Sequence, residues 1–245
     1  MKLKPFRCDL HIHTCLSPCG DLDMTPRAIV ARAREVGLDM IAVCDHNASE
    51  NVRYVQQAAE GKGIVVLPGM EVSSREEVHL LAIFDNLESL EAFQEVVYRC
   101  LPGLNDERYF GCQPIVNEFD EVEGINERLL IGATGLSLEE VLTAVHSRGG
   151  LLVPSHVERQ SFGIIGQLGF IDPALPFDAL EITSGSVSSF REKHPELAPF
   201  VFLRSSDAHF LTQIGRSFTR AWLAEASFAE LRLALHRLEG RYVEE

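Results

Sequence analysis

The chain has 245 residues, 46% of them hydrophobic and 24% charged, which fits an α/β fold with a sizeable core. A formal net charge of −14 argues against an extended nucleic-acid track, which needs Lys and Arg to displace counterions; anionic small substrates stay open, because bound divalent ions reverse the field locally. No apolar run approaches the ~20 residues that span a bilayer, and the start MKLKPFRCDL lacks the apolar core of a signal peptide, so a cytoplasmic location is expected, with the six cysteines reduced.

In chain order, residues 6–13 predict a strand and 26–37 a helix, with Thr25 as N-cap, Pro26 at the first position and Gly37 after the last turn. A strand over 38–46, a helix over 48–61, strands over 63–72 and 78–84 and a helix over 87–101 follow. The stretch 102–135 breaks the rhythm. It is rich in Gly, Pro, Asn and Glu and predicts an insertion with a hairpin around QPIVNEFDEVEGINERLLI, either a surface embellishment or a lid. A helix over 137–150 opens on a capping box, Ser137 to Glu140. Strands over 151–156, 178–183 and 200–209 precede a last helix, 227–238, with a second capping box, Ser227 to Glu230. This alternation implies a mostly parallel sheet covered by helices in one domain spanning 1–245, either open or closed into a barrel.

The polar residues cluster where these strands end. His11 and His13 stand at i and i+2 on one strand, so both imidazoles reach the same face. CDHN (44–47) ends the second strand, Glu71 lies near the end of the third, and His79 begins the run HLLAIF. His156 ends a strand in PSHVER, and Asp207 and His209 repeat the i, i+2 spacing in SSDAH. In parallel α/β folds that edge is where active sites form. Six of the nine histidines fall beside predicted strands. Together with Glu71 and Asp207, and with Cys19 and Asp45 in reserve, they exceed what one zinc needs and suffice for two or three ions. Adjacent ions favour attack on an ester by a bridging hydroxide.

The four motifs HIH (11–13), CDHN (44–47), SH (155–156) and DAH (207–209), with PGMEVSS and VHLLAIF between them, resemble in order those of the PHP family, the polymerase and histidinol phosphatase domains. The resemblance runs from about residue 7 to about residue 210. It implies a distorted (β/α)7 TIM-like barrel with a trinuclear metal site at the C-terminal ends of the strands. His11, His13, Glu71 and Asp207 would hold one ion. Glu71 would bridge to a second held with His156 and His79, and His46 and His209 would hold a third. Asp45 would orient a neighbouring ligand. In this family a His or an Asp often completes the third shell from the loop after His-x-His; here that place holds Cys19, with Asp21 and Asp23 nearby. A thiolate favours zinc or iron over magnesium or manganese; the alternative is that Cys19 packs as a small hydrophobe.

The resemblance implies a metal-dependent phosphoesterase using Zn, Fe or Mn. The preferred substrate is a small phosphomonoester, histidinol-phosphate-like or a nucleotide. Arg159 and Arg204 are expected to bind the phosphate, with Ser206 as a further contact. A single-strand nuclease of the polymerase-associated type and a non-catalytic metal-binding regulatory module are the alternatives. A nuclease predicts a basic stripe beside the metal mouth; a module predicts a saturated, buried cluster.

Overall fold

The computed structural model describes residues 2–183 and 185–244. Strand β1 (Lys4–Ile12), helix α1 (Pro26–Glu35), β2 (Met40–Val43), α2 (Val52–Ala59) and β3 (Val65–Ser73) form the expected strand–helix alternation. β1, β2 and β3 pair in parallel. The next connection is only the turn from Ser74 to Val78, closed by the Ser74 N–H to the Val78 carbonyl at 2.9 Å. Glu77 supplies a left-handed residue there, φ 59°. A turn that short cannot hold a crossover, so β4 (His79–Ile83) folds back antiparallel on β3.

Helix α3 (Leu87–Cys100) leads to the short helix α4 (Glu107–Phe110) and the hairpin β5 (Pro114–Val116) and β6 (Val122–Ile125), within the stretch expected to be an insertion. Helix α5 (Leu138–His146) follows, opened by the predicted capping box of Ser137 and Glu140. Then β7 (Leu151–Pro154) pairs antiparallel with β4. Helix α6 (Ile164–Leu168), β8 (Leu180–Glu181), helix α7 (Val187–Lys193) and β9 (Phe202–Leu203) come next, with β8 and β9 as a separate parallel pair. Finally β10 (Thr219–Leu223) lies antiparallel to β1, helix α8 (Phe228–Leu235) follows, and β11 (Tyr242–Glu244) edges β10.

The main sheet has seven strands in the order β11-β10-β1-β2-β3-β4-β7. It curls, and the β8–β9 pair bridges its ends: Val157 N–H donates to the Glu181 carbonyl at 2.9 Å, and His13 N–H to the Ala208 carbonyl at 3.0 Å. All seven predicted strands are present, but they do not form seven successive β/α units. The direct β3–β4 turn breaks the alternation, and β10 and β11, absent from the sequence reading, add an antiparallel edge. Thr25 holds the N-cap position of α1 without a side-chain bond. The second capping box is half made: Ser227 accepts from Glu230 N–H, while the Glu230 carboxylate accepts from Ala224 N–H and pairs with Arg241. No helix of the described residues is long and apolar enough to cross a membrane.

Two apolar layers flank the sheet. The outer one packs Ile41, Val43, Val72 and Leu80 under Ile29, Val55, Phe93 and Val141 of the helices. The inner one packs Phe6, Cys8, Leu10, Met40, Leu81 and Val153 against Leu231 and Ala234 of α8. β1 changes layer along its length. Leu10 belongs to the inner layer and Ile12 to the outer, because the β1–β2 register shifts between Asp9 and Ile12. Such a bulge re-aims side chains, and here it turns His11 and His13 inward. Stretch 102–135 is tied to the same end of the sheet. The Asn47 amide donates to the Leu130 and Gly132 carbonyls, both at 2.8 Å, and Asn51 Oδ1 accepts from Val116 N–H at 2.9 Å.

Phe84 is fully buried beside Phe93, with ring centroids 5.5 Å apart, and a Cβ on Gly150 would come within 2.6 Å of its ring. Phe84→Ala is expected to cost about 3–5 kcal/mol of stability, read as a lower urea midpoint at unchanged slope.

Candidate metal centre

The site forms where several chain segments end at one rim. His11 and His13 leave β1, Asp45 and His46 follow β2, Glu71 sits in β3, His156 follows β7, and Asp207 and His209 follow β9. His79 reaches the same rim from the start of its strand because β4 runs antiparallel, with Ser73 opposite it in the register. Asn47, His156 and Asp207 hold left-handed backbone, φ 50°, 31° and 49°. For non-glycine residues this is a cost that the surrounding structure must sustain.

Glu71 is the hub. It is 1% exposed, and five imidazoles border its carboxylate. His11 Nε2, His79 Nδ1 and His156 Nε2 lie 3.3, 3.2 and 3.3 Å from Oε1. His46 Nδ1 and His13 Nε2 lie 3.1 and 3.5 Å from Oε2. Asp207 Oδ1 stands 3.3 Å from both His11 Nε2 and His13 Nε2. Burial raises both acids, yet His79, His11 and His46 hold Glu71, and His11 and His13 hold Asp207, below the usual carboxylate range.

Neighbouring groups fix the ring orientations. His11 Nδ1 faces Glu181 Oε2 at 3.0 Å, an acceptor, so Nδ1 donates and Nε2 presents a lone pair. Ser17 Oγ donates to Asp45 Oδ1 at 2.7 Å and therefore accepts from His13 Nδ1 at 2.9 Å. His209 Nδ1 donates to the Asp207 carbonyl at 2.9 Å. These bonds leave the Nε2 lone pairs of His11 and His13 facing one another at 3.1 Å. Only a cation resolves that contact. A proton does so through His11, which burial disfavours but Glu181, Glu71 and Asp207 raise well above the usual histidine range. His13 is pushed down to about 4 by burial and by His209.

A metal ion fits better. With bonds of about 2.0–2.1 Å, tetrahedral ligands stand roughly 3.4 Å apart, close to the 3.1–3.3 Å separations among His11, His13 and Asp207. Among the described residues, three sets of potential ligand atoms lie within 4.8 Å of one another: His11, His13 and Asp207; His46, Glu71 and His79; and His13, Cys19, His46 and His209. His46 Nδ1 and Glu71 Oε1, both within the cluster, are buried without a hydrogen bond, as ligand atoms would be. Nitrogen and carboxylate oxygen with one sulfur suit a divalent transition metal.

Most of the predicted site residues therefore meet. Cys19 joins the histidines, whereas Asp21 Oδ1 accepts from Asp23 N–H within its own loop at 2.9 Å. Asp45 is linked to His13 through Ser17. Arg159 Nη1 pairs with Asp207 Oδ2 at 2.7 Å and keeps a partly exposed fork. Arg204 is not brought to the cluster: its Nη1 donates to the Gly185 carbonyl at 2.8 Å, and Nε faces Ser217. Ser206 N–H instead donates to Asp9 Oδ1 at 2.9 Å. The sequence reading missed Glu181, which is fully buried, holds His11 and accepts from His156 N–H at 3.1 Å. Its signal was a carboxylate inside the apolar run DALEIT.

The chain is similar to known proteins along nearly its whole length. It is 24% identical to the uncharacterised protein YqxK of Bacillus subtilis over 98% of the chain and 64% of the relative. The lesion-specific endonuclease Q of Pyrococcus furiosus superposes with a TM-score of 0.74 at 20% identity, over 98% of this chain and 58% of that one. A Bifidobacterium adolescentis protein described as a metal-dependent phosphoesterase gives 0.59 at 20% identity, over 94% and 96%. The chain thus spans about three fifths of the length of YqxK and of endonuclease Q. The family model of the PHP domain matches residues 9–153, more than half of the chain, including His11, His13, Cys19, His46, Glu71 and His79. This chain belongs to the PHP domain family, as its histidine motifs imply.

Proposed function

We propose that this chain is a metal-dependent phosphoric ester hydrolase acting on a small phosphomonoester. The observation that carries this reading is the buried Glu71 carboxylate, with three imidazoles on one oxygen and two on the other. Such an oxygen pair is placed to serve two adjacent ions. His11, His13 and Asp207 would hold one ion with Glu71; His79, His156 and Glu71 would hold a second; Cys19, His46 and His209 would hold a third. When bound, divalent ions supply a nucleophile at neutral pH and positive charge for the phosphoryl oxygens.

The chain's own residues do the rest. Glu181 and the Ser17–Asp45 pair keep the Nε2 atoms of His11 and His13 aimed inward. Asp207 divides its oxygens, Oδ1 toward the imidazoles and Oδ2 toward Arg159. Arg159 is thereby tethered at the rim, with donors left to grip a phosphate by its planar fork. One such clamp suits a terminal phosphate, and the net charge of −14 suits a small ester better than a long strand. The second reading, hydrolysis within a nucleic acid, is favoured by the likeness to endonuclease Q, including a structure of it with duplex DNA carrying an abasic lesion.

The test is metal analysis of the purified protein, then a panel of phosphomonoesters, single-stranded DNA and abasic duplex with zinc, manganese and iron. Turnover of a phosphomonoester is expected. No turnover of any ester at full metal complement would favour the metal-binding module instead. Cys19→Ala is expected to lower metal content by about one ion per chain; an unchanged content returns Cys19 to a packing role. Arg159→Ala is expected to raise KM for the phosphate ester about 10- to 100-fold, the loss of a charge-assisted bond, at unchanged metal content.

A further inference from the structure

The loop from His156 to Gly163 places an aromatic ring against one of the clustered histidines. The Phe162 ring stacks on the His79 imidazole, with centroids 4.5 Å apart and planes 14° from parallel. His79 Nδ1 is itself 3.2 Å from Glu71 Oε1. The Phe162 carbonyl accepts from His79 N–H at 2.9 Å, so backbone and ring are both fastened to that histidine. Yet Phe162 is 42% exposed, among the exposed large apolar residues.

The placement is built rather than incidental. Phe162 holds left-handed backbone, φ 62°, which is costly for a bulky residue. The loop is folded tightly on itself: a Cβ on Gly163 would stand 2.8 Å from the His156 carbonyl oxygen, and one on Gly166 2.6 Å from that of Arg159. Strain that buried this ring fully would be explained by packing. Here it holds a large apolar face partly in water, three residues from Arg159, whose guanidinium is tethered to Asp207. One loop therefore presents a cluster residue, a phosphate-binding cation and a flat apolar face in sequence.

We infer that Phe162 is a stacking platform that selects phosphate esters carrying a planar ring, a nucleobase or an aryl group, beside the phosphate. This rests on the reading of the centre as a phosphoesterase. A base on an aromatic platform gains enough to change binding by tenfold or more, and stacking needs no sequence of donors and acceptors, in keeping with a face formed by a hydrocarbon ring.

The test compares wild type, Phe162→Ala and Phe162→Trp on a nucleoside 5′-monophosphate, phenyl phosphate and glycerol phosphate, with metal content measured on each preparation. Phe162→Ala is expected to raise KM about tenfold for the two ring-bearing esters, leave that for glycerol phosphate unchanged, and retain the metal; Phe162→Trp restores the preference. A loss for the nucleoside ester alone narrows the group to a nucleobase, and a loss for phenyl phosphate alone narrows it to an aryl ring. An equal rise for all three esters, no change for any, or loss of metal in Phe162→Ala overturns the inference and leaves Phe162 as a shield over His79. If wild type at full metal complement turns over no ester, the phosphoesterase reading itself fails, a result separate from any behaviour of the variants.

Discussion

Everything at this site depends on one buried carboxylate. An ion as enclosed as Glu71 costs several kcal/mol to desolvate unless its surroundings return that energy. The surroundings are imidazoles, and for His11 and His13 the Nδ1 proton is already committed to Glu181 and Ser17. What converges on Glu71 and Asp207 is therefore a set of lone pairs and negative oxygens that repel one another. Cations between them remove the repulsion, which is why the arrangement reads as a metal centre rather than as a buried polar core.

The fold is bent to keep that set together. The bulge in β1 gives Leu10 to the inner layer and still turns His11 inward. The tight turn before β4 reverses the strand, so that its first residue, His79, arrives at the rim reached by the final residues of the others. Left-handed backbone at Asn47, His156 and Asp207 marks where the chain leaves the sheet at the cost of local strain. Asn47 also fastens residues 130 and 132 to the rim, so the wall of the site includes part of the irregular stretch 102–135.

Charge at this rim is a local matter. The chain is acidic as a whole, but two of its buried acids, Glu71 and Asp207, face the imidazoles, and the guanidinium of Arg159 is drawn to Asp207. With ions bound, an anionic substrate would meet positive charge there in spite of the overall sign. Among the groups that border the cluster is one apolar ring, that of the exposed Phe162, which stacks on His79.

Much of this was legible in the sequence because it follows from local spacing. Alternate residues on a strand share a face, so the pairs His11/His13 and Asp207/His209 announced themselves, and apolar runs ending in polar residues located the rim. The seven strands and the Ser137 capping box are likewise local patterns. What depends on neighbours distant in the chain was not legible. Glu181 meets His11 across 170 residues. Arg204 meets the Gly185 carbonyl across 19 residues. The reversal of β4 and the antiparallel edge of β10 and β11 are choices of pairing, and pairing is set by which apolar faces can be buried together. The amino-acid sequence by itself determined the residue types, their spacing and the family; the tertiary structure alone decided which lone pairs face which, because only packing brings the ends of four other strands to the one carboxylate of Glu71.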